Sequence, residues 1–79
     1  MRPDDIRDRL QRDPFQPFRL VLTSGTHYDI RDPRLVMPLR HDVFIAFEDG
    51  ERWTLVPYLH IAALELLPNG RPSRRKRRQ

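Results

Sequence analysis

The sequence predicts a mainly β protein: a short N-terminal helix, five antiparallel strands curling into a small barrel, and a basic C-terminal tail. Three observations carry this prediction. Hydrophobic residues alternate with polar ones through most of residues 18–67. Turn signals recur between those runs at Ser24-Gly25, Asp32-Pro33 and Asp49-Gly50. The chain has 79 residues, room for a single small domain with one core.

Residues 3–12 are expected to form the helix. Pro3 suits a first turn, Asp4 and Asp5 complement the positive end of the helix dipole, and Ile6 and Leu10 fall four apart on one face. Asp13-Pro14 stops it. With so few apolar side chains the helix cannot be stable alone and must lie across the mouth or edge of a sheet.

From Pro14 the period becomes two. Phe18, Leu20 and Leu22 face one way and Arg19, Val21 and Thr23 the other. After the Ser24-Gly25 turn, Tyr28 and Ile30 continue the inward face opposite His27, Asp29 and Arg31, completing a hairpin. Pro38 confines residues 34–39 to an edge or connecting segment. Asp42–Phe47 is apolar at nearly every position and is expected to be the central strand, covered on both faces. Asp49-Gly50 then reverses the chain into a strand in which Trp53 and Leu55 are expected to face inward against Arg52 and Thr54. Pro57 closes it, Tyr58–His60 fits one short helical turn, and Ala62–Leu67 reads as the last strand. Five short strands joined this way cover their faces best as an SH3-like or Sm-like barrel spanning residues 1–68.

Charge divides the chain differently. Of fifteen basic residues, six (Arg71, Arg74, Arg75, Lys76, Arg77, Arg78) lie in residues 71–79 without an acid, leaving nine arginines against all eleven acids, a net of −2, in residues 1–70. Residues 69–79 are therefore expected to be a disordered basic tail on a slightly acidic domain. Such a run releases counterions from a polyanion; with five phosphates neutralised, affinity for duplex DNA falls about 500-fold between roughly 50 and 200 mM salt. Nucleic acid, RNA or DNA, is accordingly one expected partner, and the bland counterpart is a solubilising tail.

Several classes are disfavoured. There is no cysteine for disulfides or a thiolate metal cluster. His27, His41 and His60 match no compact ligand spacing. Gly25, Gly50 and Gly70 make no phosphate loop, and no Ser or Thr sits in a recognisable nucleophile turn. No enzymatic activity, metal or cofactor is expected. The absence of a long apolar run or a leader-like N-terminus points away from a membrane partner and toward the cytoplasm.

Most aromatics, Phe18, Tyr28, Phe47 and Trp53 among them, keep phase with the inward faces and are expected in the core. Phe44 points opposite to Val43, Ile45 and Phe47, and with Ala46 leaves an apolar strip to be covered by the helix or by a second subunit. Phe44 is thus the candidate interface residue for a homo-oligomer or a protein partner.

Two resemblances bear on these readings. Pro14-Phe15-Gln16-Pro17-Phe18-Arg19-Leu20-Val21-Leu22-Thr23-Ser24-Gly25, with Asp32-Pro33 and His60-Ile61-Ala62-Ala63-Leu64-Glu65, is similar to a family of short uncharacterised bacterial proteins. Leu20-x-Leu22-x-x-Gly25 with Tyr28 and Ile30 looks like the opening of the Sm pattern, and Pro57-Tyr58-Leu59-His60-Ile61-Ala62 resembles a segment of the Sm-like (Hfq-like) proteins that precedes their last strand. The second resemblance implies a ring-forming, RNA-binding module in which Tyr58 and His60 contact nucleic acid beside the basic tail. The competing expectation is a protein-interaction or homo-oligomeric assembly module.

Overall fold

Helix and strands appear in the expected order in the computed structural model, which describes residues 1–68. Helix α1 spans Pro3–Leu10. Six strands follow: β1 (Phe18–Leu22), β2 (His27–Ile30), β3 (Val36–Pro38), β4 (Asp42–Ala46), β5 (Trp53–Pro57) and β6 (Ile61–Leu66). Single 3-10 turns at Pro33–Leu35 and Tyr58–His60 lead into β3 and β6.

The strands form two antiparallel three-stranded sheets, ordered β2-β1-β6 and β3-β4-β5, not one closed barrel. The sixth strand is β3, in the segment expected to be an edge or connection. Pro38 sits in this edge strand and Pro57 ends the opposite edge strand β5, where a missing N–H costs the ladder nothing.

Both hairpins turn on glycines with positive φ, Gly25 at 94° and Gly50 at 78°. A side chain there would strain the backbone even though neither glycine has an atom crowding its missing Cβ. In the second hairpin the Asp49 carboxylate accepts the Glu51 and Arg52 N–H groups at 2.9 and 3.1 Å and Arg52 Nε at 2.7 Å. These bonds hold its carboxyl well down, at about 2.

The core lies between the sheets. Phe18 and Leu20 from β1, Ile30 from β2, Val43 and Ile45 from β4, and Val56 from β5 are buried, together with Ile6 of α1. The helix directs Ile6 into this core, with Leu10 packed at its margin. It therefore caps the interior and spends its apolar face there.

One strand departs from the sequence expectation. In β5 it is Val56 and Thr54 that pair with the inward residues Val43 and Ile45, while Trp53 and Leu55 pair with Ala46 and Phe44 and face outward. Trp53 is 59% exposed and Leu55 46%. The cause is the hairpin closure: Phe47 N–H donates to Arg52 O, fixing a register in which cross-strand partners share a face. Size and hydrophobicity favour Trp53 inside, but a one-residue slip would expose Val56.

Candidate interaction surfaces

The outer face of β3-β4-β5 carries three of the exposed large hydrophobic residues, Met37, Trp53 and Leu55. Met37, Phe44 and Leu55 stand in one cross-strand row, with Ala46 and Trp53 in the next. Met37 is 60% exposed. The Phe44 and Trp53 rings stack with centroids 5.6 Å apart and planes 27° from parallel. Phe44 thus lies on the outside, as expected, and the strip extends to Trp53 and Leu55, which the alternation pattern assigns to the core. Aromatic and Met side chains without charge at the centre of a patch are the composition of an interface core rather than of a solvated face.

A second feature is the cleft of about 460 Å³ between β2 and the β4-β5 hairpin. Tyr28 and Phe47 stack across it at 5.9 Å, and the Arg52 guanidinium lies 5.2 Å from the Phe47 ring centroid. Ile30, Val36 and Ile45 continue its apolar lining. Asp29 on its rim receives Arg19 Nε at 2.7 Å, and the Arg19 guanidinium holds the Asp29 carboxyl below the usual carboxylate range. The Arg31 guanidinium approaches Asp29 no closer than 3.7 Å.

The other candidate residues do not come together. Tyr58 is buried and its hydroxyl donates to Leu39 O at 2.6 Å; burial pushes its phenol pKa up. It is a core residue tying the last 3-10 turn to the β3-β4 connection, with no face to offer a base. His60 is exposed, and its carbonyl accepts Thr23 N–H at 2.8 Å. Arg71, Arg74, Arg75, Lys76, Arg77 and Arg78 lie outside the described residues.

Among the described residues no group of three or more His, Asp or Glu side chains is placed to hold a metal ion. No helix there is long and apolar enough to cross a membrane. No family model, curated protein or solved structure matches the chain.

Proposed function

We infer that the protein is a small assembly module that associates with a second copy of itself through the outer face of β3-β4-β5. The observation that carries this reading is the uncharged strip of Met37, Phe44, Trp53 and Leu55 on a domain whose helix is already committed to the core. A two-fold pairing sets the same patch against itself, so an apolar, charge-free centre is self-complementary. Residues 1–70 carry a net charge of only −2, which opposes association weakly. Small domains gain disproportionately from such burial because their own cores cover a low fraction of their surface. The two sheets are read as halves of an open SH3-like or Sm-like barrel, joined through the Tyr58–His60 turn, at whose ends Tyr58 N–H to His41 O prolongs the β4-β5 ladder and Thr23 N–H to His60 O prolongs the β1-β6 ladder.

Trp53 is the single tryptophan, so its emission reports the interface directly. Concentrating the full chain from about 1 to 200 µM, a range that brackets a micromolar dimer, should blue-shift that emission and raise the sedimentation coefficient together. Leu55→Lys should abolish both changes. A monomer with unchanged emission across the range would refute the assembly reading.

A second reading rests on the charge run Arg74–Arg78: association with nucleic acid, with the self-associated assembly bringing together one tail per copy for avidity. Fluorescence anisotropy of labelled single-stranded RNA and duplex DNA tests it. Replacing the five residues Arg74–Arg78 by Gln in the full chain should remove binding, and binding that survives would locate the nucleic-acid surface on the domain.

A further inference from the structure

The backbone phase of the first hairpin decides what the cleft can hold. Leu22 N–H donates to Thr26 O at 2.8 Å, which closes the turn. Hydrogen-bonded pairs alternate along an antiparallel ladder, so Leu20–Tyr28 and Phe18–Ile30 are the next bonded pairs in this register. His27, Asp29 and Arg31 therefore turn their N–H and C=O groups away from β1, toward the cleft. Among the described residues β2 has no strand on that side.

The four sheet edges are not equivalent. β3 is three residues long and contains Pro38, and β5 ends in Pro57; these devices blunt an edge against further pairing. The β2 and β6 edges have no proline within the strand, and of the two only β2 lines the cleft, where Tyr28, Ile30, Val36 and Phe47 stand among the charged Asp32, Glu48 and Arg52.

We propose that the β2 edge and this cleft form a receptor site for an extended peptide segment of a partner protein, taken up as an added strand. Backbone groups of His27, Asp29 and Arg31 supply the ladder. Ligand residues opposite Tyr28 and Ile30 turn inward over the Tyr28–Phe47 stack and Val36, which selects apolar side chains at alternate positions. Residues opposite His27, Asp29 and Arg31 share the outer side. There Asp29 takes both of its side-chain hydrogen bonds from Arg19 and forms only a longer ion pair, at 3.7 Å, with the Arg31 guanidinium. An acidic ligand residue beside Arg31 offers that guanidinium a closer partner than Asp29. The ligand is thus an extended segment alternating apolar and acidic residues. This site meets the Phe44–Trp53 face only at Ala46 and stands whether or not the protein self-associates.

The test uses the isotopically labelled full chain and the synthetic heptapeptide acetyl-Val-Glu-Val-Glu-Val-Glu-Val-amide, followed by amide chemical shifts. Shifts should concentrate at the His27, Asp29 and Arg31 amides with increased protection from hydrogen exchange, while the Trp53 indole signal stays unmoved. N-methylation of alternate peptide amides in the bonding register should weaken binding by about tenfold, as loss of ladder hydrogen bonds requires. Arg31→Gln should weaken it by roughly threefold, a rim-charge effect that falls in high salt. Absence of shifts at these three amides up to about 2 mM peptide, weaker than any useful recognition, overturns the proposal. So does equal binding of the N-methylated peptide, which leaves the protein and its folding untouched.

Discussion

On the outer face of β2-β1-β6, Arg19 in the central strand stands between Asp29 and Glu65. At the matching place on β3-β4-β5, Phe44 stands between Met37 and Leu55. Backbone plan and strand number are the same, and the inner faces meet in one core. The first row is covered by water at no cost, because Arg19 reaches Asp29 through two hydrogen bonds of 2.7 and 3.3 Å and its charged ends stay partly exposed. The second row exposes aromatic and aliphatic surface that water covers unfavourably. The pair teaches that fold and association are written on different residues of the same strands: inward positions specify the domain, and outward positions specify whether the domain is complete by itself.

If that division holds, substitutions of inward residues on either sheet must be severe. Phe18 is fully buried, and Phe18→Ala should cost about 3–5 kcal/mol, enough to unfold most of a domain of this size. Val43→Ala in the other sheet removes less side chain and should cost about 1–3 kcal/mol. Urea denaturation followed by far-ultraviolet circular dichroism measures both. A tolerant Val43 would break the comparison, showing that the second sheet contributes little to the shared core.

The joint between the sheets is next in size. Tyr58→Phe keeps the ring packed while removing the hydroxyl that donates to Leu39 O. The half-buried carbonyl then loses its partner, and stability should fall by about 1–2 kcal/mol with the urea slope unchanged. A loss near zero would mean that water replaces the hydroxyl and that the seam is open.

Much of this division is visible in the sequence. Phe18, Leu20, Tyr28 and Ile30 announce their faces by alternation bounded by turn residues, whereas Asp42–Phe47, apolar at nearly every position, reads as covered on both faces and in the structure leaves the Phe44 side open. β5 is not legible in the same way. In Trp53-Thr54-Leu55-Val56 both faces carry hydrophobic residues, so periodicity cannot choose between them, and the choice falls to the length of the β4-β5 connection. The cleft is invisible to sequence because it arises from the gap between two sheets, whereas strand count and turn lengths point to a single curled barrel. For Tyr58 the resemblance implies a binding residue, and nothing in a lone Pro-Tyr-Leu-His segment reveals that the hydroxyl has a carbonyl within reach.

The outward positions should show the opposite balance of effects. Phe44→Lys and Val21→Lys each place a charge on the outside of a central strand. Each should change monomer stability by at most about 1 kcal/mol, but only Phe44→Lys should return a self-associated sample to monomer in sedimentation. Equal effects on association would show that the charged sheet participates as well, and the contrast between the faces would lose its functional meaning.

The smallest expected effect separates the two kinds of carboxylate that the sheets use. Asp49, in the hairpin of the apolar sheet, is held first by the Glu51 N–H, then by the Arg52 side chain and N–H, which brings its carboxyl down to about 2. Asp29, on the charged sheet, is lowered first by the Arg19 side chain. Both carboxylates are ionised more readily in the folded chain than in the unfolded one, so both stabilise above the unfolded pKa near 4 and lose that contribution as pH falls through the folded value. Acid should therefore narrow the urea-midpoint difference between the wild-type chain and Asp49→Asn between about pH 4 and 2, with the variant the weaker at the upper end. Salt should discriminate where acid does not. At about 1 M NaCl the charge attraction in the exposed Arg19–Asp29 pair is screened, whereas the backbone N–H groups that Asp49 accepts keep their geometry. The penalty of Asp29→Asn should thus shrink in salt more than that of Asp49→Asn. An equal loss would mean that the Arg52 guanidinium, not the turn backbone, governs Asp49, and that both sheets secure their carboxylates by the same means.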